Sequence, residues 1–234
     1  MKNKTVALIP LRSILFIVAG LTVALVINST LAEISKWWTT IDIVINIITI
    51  TILLIVCRSK GVTYGNYINY EKGKTGTKTA IVGIVLVLVI AMVGMYGAGF
   101  IFYGEIPHFP LMMIKPLPLW LAIASILILP ITTTFAEDGI YLGVLNKTDS
   151  KAILLTSIFF YAAQHCFIPL IFDLRYMTYR FVSFLPATAV MCLLYRKYKN
   201  PVPLMAGHFI LNIPTVVMII ATSTSPGLYE QWAK

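Results

Sequence analysis

Long apolar runs separated by short polar segments dominate the chain. Seven of them are long enough to be read as membrane-spanning helices, at residues 13–31, 37–57, 79–103, 117–145, 152–172, 177–195 and 201–222. A spanning helix needs about 20 mainly apolar residues, because lipid offers the backbone no hydrogen-bond partners. The pattern therefore predicts an all-α protein, a polytopic transmembrane bundle of about seven spans.

The fourth run, residues 117–145, departs from a uniform apolar helix. It contains Pro130 and Gly139 and carries the adjacent carboxylates Glu137 and Asp138. A proline inside a helix removes a backbone hydrogen bond, so we expect a kink or a break here. Splitting the run into two spans would reverse the orientation of everything after it, and we reject that division.

Composition indicates a lipid environment. Of the 234 residues, 59% are hydrophobic and 12% are charged, whereas a soluble domain is about 45–50% apolar and about 25% charged. The net charge is +9, but the basic residues form short clusters between apolar runs, which is typical of membrane loops and not of nucleic-acid binding. We therefore predict membrane lipids, and no nucleic acid, among the partners. No oligomeric state is predicted.

The loops alternate in charge, and this alternation predicts the orientation. Basic residues gather on one side, as Lys2, Lys4, Arg12, Arg58, Lys60, Lys72, Lys74, Lys78, Arg196, Lys197 and Lys199, while the other side is near neutral. Since Lys and Arg are retained on the cytoplasmic face, we expect an inside N-terminus and an outside C-terminus. Four glycines make us read the loop of residues 58–78 as flexible. The protein is expected in a plasma membrane, and its residue usage suggests a bacterial one.

Few ionisable residues fall within the runs, and a charged one costs about 2.5–3.5 kcal/mol at mid-bilayer on insertion scales. Asp42 lies near the outer end of its run, where we expect it to reach the interface or to pair with Lys36. His108 lies in an outer loop and is read as a solvated residue. The remaining ionisable residues behave differently.

Glu137, His165 and His208 fall near one layer of the predicted bundle. At 1.5 Å per residue, Glu137 and His208 lie roughly 12 Å from the basic end and His165 about 20 Å, a gap that a tilt would close. Tyr161 and His165 share one helical face, as do His208 and Asn212, because each pair is four residues apart. These groups favour a hydrolytic site, with a base for water and donors for an oxyanion. The alternative is that they only hydrogen-bond neighbouring helices together.

Three motifs at these residues resemble the CPBP family, the CAAX prenyl protease and bacteriocin-processing (Abi) membrane proteins. The family motifs EExxxR, FxxxH and HxxxN read here Glu-Asp-Gly-Ile-Tyr-Leu at 137–142, Tyr-Ala-Ala-Gln-His at 161–165 and His-Phe-Ile-Leu-Asn at 208–212. The resemblance covers roughly residues 117–217. It implies a glutamate-dependent intramembrane endopeptidase that opens toward the cytoplasm, acts on a peptide, lipoprotein or membrane-protein substrate, and needs no metal or other cofactor.

The resemblance also implies a role for each matched residue. Glu137 would be the general base, with His165 sharing the activated water. His208 and Asn212 would donate to the oxyanion, and Asp138 and Tyr161 would support them. The chain then divides into N-terminal spans (1–116), a catalytic core (117–222) and a short tail (223–234).

Two departures from the motifs keep other interpretations open. The second glutamate is Asp138, and the arginine is Leu142, which removes a charge partner that no nearby residue obviously replaces. The runner-up function is acyl transfer in bacterial lipoprotein N-acylation, which would use the same base and oxyanion hole with an amine in place of water. A third interpretation is a non-catalytic immunity or partner protein of the membrane.

Metal and thiol chemistry are weaker alternatives. Glu137, His165 and His208 would supply three zinc ligands around an open position. Cys166 is a poor nucleophile because its neighbour His165 points about 100° away around a helix. The cysteines show no CxxC spacing, so we predict neither a disulfide framework nor a zinc ribbon.

Overall fold

The computed structural model describes residues 3–106 and 110–232, so Lys2, His108 and Lys234 lie outside the described residues, as does the side chain of Lys4. Regular structure in the two ranges is helical. The α-helices are α1 (Asn3–Val6), α2 (Leu11–Val26), α3 (Leu31–Ile34), α4 (Trp38–Ser59), α5 (Tyr64–Tyr67), α6 (Thr77–Tyr103), α7 (Leu119–Asn146), α8 (Lys151–Ala163), α9 (Leu174–Tyr198), α10 (Val202–Thr224) and α11 (Pro226–Trp232). Three 3-10 turns join them, at Ser35–Trp37, Leu111–Ile114 and Gln164–Phe167.

Five helical segments of the described chain are long and apolar enough to cross a membrane. They are Leu31–Ser59, which joins α3 to α4, and the helices α6, α7, α9 and α10. The helix α2 is apolar but has only 16 residues. The prediction of an all-α, polytopic membrane bundle is confirmed, and the protein is a multi-pass membrane protein.

The fifth predicted span, residues 152–172, is not one continuous helix, and that prediction was wrong. The helix α8 has 13 residues, the 3-10 turn Gln164–Phe167 follows, and Ile168 is extended, with φ −128° and ψ 107°. Pro169 explains the break, because a proline supplies no N–H and disfavours helical backbone at the residue before it. The polypeptide therefore leaves the helix inside the bundle, at the turn that carries His165.

The fourth span shows the opposite outcome. The helix α7 runs unbroken over Leu119–Asn146 with Pro130 inside it, so of the expected kink or break, the break does not occur. In a bundle, neighbouring helices and side-chain hydroxyls compensate for a proline in a spanning helix. Glu137 and Asp138 therefore lie on a continuous rod.

One end of the bundle carries the loop of residues 58–78 and residues 196–199, and we call it the basic end. Here the loop is not simply flexible, because α5 packs onto α7. The side chain of Tyr67 is 0% exposed, and a Cβ at Gly143 would overlap its ring. All residues from 136 to 145 are buried. The basic end of α7 is thus enclosed by protein on every side.

Hydrogen bonds hold this closure in place. Tyr64 Oη donates to the Phe135 carbonyl at 2.6 Å, and Tyr195 Oη donates to the Ile68 carbonyl at 2.9 Å. Burial raises the pKa of the Tyr64 and Tyr67 hydroxyls above the usual range for a phenol, so both remain neutral. The segment 64–68 closes the basic end, and we call it the plug.

Candidate functional site

Polar side chains from five segments meet in the interior of the bundle, immediately beyond the plug. Each of them is at most 6% exposed. They are Arg12 of α2, Asp42 of α4, Glu137 and Asp138 of α7, Gln164 and His165 of the 3-10 turn, and His208 of α10. The layer that the spacing predicted therefore exists, and it contains additional members.

Glu137 lies at the centre of this cluster. Its Oε1 accepts a hydrogen bond from Arg12 Nη2 at 2.9 Å, and its Oε2 accepts one from Gln164 Nε2 at 2.8 Å. The Nε2 atoms of His165 and His208 lie 3.8 and 3.9 Å from the same Oε2. These two distances are longer than a direct hydrogen bond. A water molecule could bridge Glu137 Oε2 and the histidine nitrogens.

Arg12 is the residue that sequence reasoning missed. It was assigned to the orientation signal, yet it is 0% exposed. Its guanidinium donates to Gln164 Oε1 and to Asn46 Oδ1, both at 2.6 Å, and to Asp42 Oδ1 at 3.1 Å, in addition to Glu137. A planar fork of five donors suits such a set of acceptors. Arg12 supplies the cation that the first motif lacks.

Leu142 shows why the cation comes from elsewhere. The side chain is 0% exposed and belongs to the apolar cluster around the plug. An arginine there would need partners that the cluster does not provide. The absence of the motif arginine was itself a signal to search for another arginine near the start of an apolar run.

Asp42 also differs from its predicted role. It is 3% exposed and pairs with Arg12, so the expected interfacial position and the pairing with Lys36 were wrong. Asn46, one turn further along α4, donates to Thr133 Oγ1 of α7 at 2.9 Å. The physical reason is that α4 packs along α2 and α7, and a buried carboxylate is tolerated when a guanidinium faces it.

Asp138 sets the orientation of His208. Tyr161 Oη donates to Asp138 Oδ1, and His208 Nδ1 lies 3.3 Å from Asp138 Oδ2. With Nδ1 held in this way, the opposite ring nitrogen faces Glu137. The ring of Tyr161 stacks on Tyr141, with centroids 4.3 Å apart. The hydroxyl that Tyr161 has in place of the family's phenylalanine therefore gives Asp138 a donor.

His165 is held by its own segment and by α9. Its Nδ1 lies 2.9 Å from the Tyr161 carbonyl, and its ring stacks on Phe184 with centroids 3.7 Å apart. Arg180 lies over the same Phe184 ring at 4.7 Å. The predicted proximity of Tyr161 and His165 is retained, although His165 sits on a 3-10 turn and not on a regular helix.

Asn212 stands one turn beyond His208 on α10, and its Nδ2 donates to the His208 carbonyl at 3.1 Å. Both residues, together with Glu137 and His165, line a cavity of about 380 Å³. The cavity begins at this layer and extends away from the basic end, as far as Pro110 of the loop between α6 and α7. A substrate group entering it would meet the four predicted residues.

The geometry gives the weaker alternatives no support. Among the described residues, no group of three or more His, Cys, Asp and Glu side chains is arranged to hold a metal ion. Both carboxylate oxygens of Glu137 already accept hydrogen bonds from Arg12 and Gln164. Cys166 Sγ donates to the Met177 carbonyl at 3.3 Å.

Comparison with known proteins agrees with the motifs. A family model described as type II CAAX prenyl endopeptidase Rce1-like matches residues 115–214, which is less than half of the chain and contains Glu137, His165, His208 and Asn212. Comparison with curated proteins and with solved structures gives no match. At the level of the family, the match supports a CAAX-type intramembrane protease. Residues 115–214 therefore form an Rce1-like region, which contains the three motifs that resemble those of the CPBP family.

Proposed function

We propose that the protein is an intramembrane endopeptidase in which Glu137 activates a water molecule. The observation that carries the proposal is the position of Glu137 Oε2, 3.8 Å from His165 Nε2 and 3.9 Å from His208 Nε2 at the inner end of the cavity. A water between Oε2 and these nitrogens would be close to a peptide carbonyl in the cavity. The arrangement supplies a base, an orienting partner and an oxyanion donor.

The reaction begins when the water oxygen attacks the carbonyl carbon and Glu137 Oε2 takes a proton from the water. His165 Nε2 orients the water, because its Nδ1 is held by the Tyr161 carbonyl. The tetrahedral intermediate carries its negative charge on the former carbonyl oxygen. When the C–N bond breaks, Glu137 returns the proton to the leaving amine.

The oxyanion would be stabilised from α10. His208 presents Nε2 to the cavity while Nδ1 faces the Asp138 carboxylate, which compensates a positive charge on the ring. Asn212 supplies a second donor through Nδ2, which turns from the His208 carbonyl to the oxyanion. Hydrogen-bond donors that contact the negative charge only as it develops in the transition state lower the activation barrier most effectively.

Arg12 acts as a positioning residue in this scheme. It binds Oε1 of Glu137, which leaves Oε2 directed toward the two histidines. Its charge is shared with Asp42, so Glu137 is not fully neutralised and can still act as a base. The catalytic unit therefore extends beyond the core of residues 117–222 into the N-terminal spans.

The substrate class that fits the proposal is a peptide bond in a membrane protein or lipoprotein, in a bacterial plasma membrane. The test is a comparison of protein N-termini in cells that carry the wild type, Glu137→Gln or Glu71→Gln. Glu71 is an exposed carboxylate of the basic loop, so its variant is the matched control. New N-termini that require Glu137 and tolerate Glu71→Gln support proteolysis. A set of N-termini unchanged by Glu137→Gln overturns it.

Acyl transfer is a second candidate, favoured by the direction of the cavity. N-acylation of lipoproteins takes place outside the cytoplasm, and the cavity extends away from the basic end. An amine would attack an ester carbonyl, Glu137 would accept its proton, and the alcohol would leave with that proton. Mass spectrometry of lipoprotein N-termini separates the two activities: acyl transfer adds a fatty acyl group, and proteolysis shortens the chain. A phenotype that survives Glu137→Gln would indicate the non-catalytic interpretation.

A further inference from the structure

We propose that substrates reach Glu137 from the end of the bundle opposite the basic end, through a lateral opening between α6 and α10. The occupant of the opening is an apolar peptide segment that remains in the bilayer. The route follows from the shape of the bundle alone. The identity of the occupant as a substrate rests on the proposed protease function.

Within the described part of the chain, the plug separates the basic end from the site. Tyr67 and Ile68 of the plug are 0% and 4% exposed, and they pack against α7 and α9. Lys199 Nζ donates to the Leu145 carbonyl at 2.8 Å, which ties α9 to the end of α7. Close-packed interiors contain few voids larger than a water molecule. A peptide arriving from this side would have to displace the whole plug.

The cavity lies entirely on the other side of Glu137. Along α7 its walls are Glu137, Thr133 and Leu129, in that order away from the basic end. Along α9 they are Phe184, Arg180 and Tyr179, which also lead away from the basic end. Trp38, Pro110 and Met113 complete the far wall. The cavity that reaches Glu137 therefore extends away from the basic loops. A second cavity of about 550 Å³ lies at the basic end, beside Lys74, Lys78 and Pro203, but neither Glu137 nor the two histidines line it.

The helices α6 and α10 are in close contact near the basic end, and farther along both of them line the cavity. A Cβ at Gly83 would overlap Pro203, and a Cβ at Gly207 would lie 2.9 Å from Val87 Cβ. These glycines allow the two helices to approach closely, as small residues do in membrane bundles. Farther along, Met92 and Ile210 line the cavity and are 43% and 38% exposed on the outer surface of the protein. The cavity thus opens sideways to lipid.

The chemistry of the opening selects its occupant. Most of the residues that line the cavity on the two helices are apolar, namely Leu88, Met92 and Met95 of α6 and Ile210, Leu211 and Pro214 of α10. Tyr96 of α6 and His208, Asn212 and Thr215 of α10 add polar groups. Methionine side chains are flexible and adapt to apolar chains of different shape. A polar peptide would lose hydrogen bonds to water here, whereas an apolar segment already in the bilayer would not. We therefore assign the opening to the apolar segment of a membrane-anchored substrate.

This route differs from the cytoplasmic opening that the family resemblance implied. The basic loops orient the protein with the basic end in the cytoplasm. The opening then lies in the outer half of the membrane, and the site serves substrates presented from outside. The plug is the element that closes the site toward the cytoplasm.

Cysteine accessibility tests the route without any need for activity. In a background of Cys57→Ala, Cys166→Ala and Cys192→Ala, three further variants are reconstituted and treated with a charged, membrane-impermeant thiol reagent from one side at a time. They are Met95→Cys in the cavity, Lys72→Cys in the basic loop and Val93→Cys on the lipid face. All variants are first checked for a monodisperse, folded state.

We expect Met95→Cys to react from the side opposite that at which Lys72→Cys reacts, because the cavity also reaches Pro110 of the loop at the far end, where a water-soluble reagent can enter it. Val93→Cys, which is 61% exposed but lies off the cavity, should react from neither side because it faces only lipid. Reaction of Met95→Cys from the same side as Lys72→Cys, or from neither side, overturns the route. Because labelling needs no catalysis, a positive result stands even if Glu137→Gln leaves proteolysis unchanged.

Bulk at the opening tests the occupant. Ile210→Trp narrows the opening, and Val217→Trp adds the same ring on the same helix at a residue that is 47% exposed and lies off the cavity. We expect Ile210→Trp to slow cleavage of membrane-anchored substrates by about tenfold or more and Val217→Trp by less than about twofold. A lipid-anchored peptide and a peptide with one transmembrane segment are assayed separately, to identify which of the two apolar parts occupies the opening. Equal effects of the two variants on both peptides overturn the assignment.

Discussion

Arg12 and Glu137, 125 residues apart in the sequence, form a buried ion pair with 2.9 Å between Nη2 and Oε1. The pair connects α2 to the region that matches the Rce1-like family. The position of the motif arginine is occupied by the buried Leu142, and Arg12 is the cation that contacts Glu137. An N-terminal helix outside the matched region therefore contributes a side chain to the buried polar cluster.

Arg12→Leu should destabilise the protein and abolish activity. The change leaves Asp42 and Glu137 buried without their cation, and breaking a buried pair in this way costs about 3–5 kcal/mol. Thermal unfolding in detergent measures the loss. Arg12→Lys keeps the positive charge but cannot donate to all four partners, so it should lose less stability than Arg12→Leu. Adding Asp42→Asn to Arg12→Leu should restore part of the stability. An unchanged melting temperature for Arg12→Leu would contradict the ion-pair account.

Tyr161→Phe should lower activity while the fold is retained. The ring remains stacked on Tyr141, but Asp138 loses a donor and holds His208 less firmly. A hydrogen bond to a charged group contributes about 1.5–3 kcal/mol, so we expect kcat to fall about tenfold to a hundredfold with little change in KM. Tyr195→Phe, which loses a buried phenol hydrogen bond to the Ile68 carbonyl at the plug, is the control. Equal activity of the two variants would remove Tyr161 from the orientation of His208.

Gly143→Ala should loosen the plug. A Cβ there would overlap the Tyr67 ring, which is fully buried and has little space to move. Overpacking of this kind costs about 1–3 kcal/mol. Gly97→Ala in α6 is the matched control, because a Cβ at Gly97 meets no atom within 4 Å. Alanine favours a helix over glycine, so the control should be neutral or slightly stabilising. Similar melting temperatures for both variants would argue against a close-packed basic end.

Tyr67→Phe should leave stability at neutral pH unchanged or slightly higher. The Tyr67 hydroxyl is buried and has no hydrogen-bond partner among the described residues. Burial raises the pKa of Tyr67 in the folded protein, whereas the unfolded phenol ionises near about pH 10. Below about pH 10 the hydroxyl is neutral in both states, and its ionisation does not lower the free energy of unfolding. As the pH rises from there toward the folded pKa, ionisation of the unfolded phenol lowers that free energy.

The same variant should consequently show a smaller decline in melting temperature above about pH 10 than the wild type. Thermal scans at increasing pH measure the difference. Tyr67→Ala, which leaves a cavity in place of the ring, should instead lose about 3–5 kcal/mol at every pH. Identical alkaline profiles for the wild type and Tyr67→Phe would show that the Tyr67 hydroxyl is not buried as described.

The layer of Glu137, His165 and His208 could be predicted from the sequence, because helical rise and four-residue spacing fix the depth and face of each side chain. Arg12 and Asp42 could not be assigned in this way. Hydropathy treats a charge near the end of an apolar run as an interfacial residue, and only the packing of α2 against α4 and α7 reveals the buried pair.

The plug was also beyond the reach of sequence patterns. Glycines in a basic loop suggest flexibility, whereas the packing of Tyr64 and Tyr67 depends on two glycines of α7 that lie far along the chain. The break after α8 had a local signal in Pro169, but a long apolar run concealed it. Local spacing thus located the chemistry, while tertiary contacts determined its partners and its access.

Glu137 is proposed to activate water for peptide hydrolysis, and one measurement tests this role directly. Purified wild type and Glu137→Gln are each incubated with an intact membrane substrate that the wild type cleaves, in water enriched in heavy oxygen. The products are analysed by mass spectrometry. We predict that the wild type incorporates one heavy oxygen into the new carboxylate and that Glu137→Gln loses at least about a hundredfold in rate. Cleavage by Glu137→Gln at the wild-type rate would contradict the proposed function.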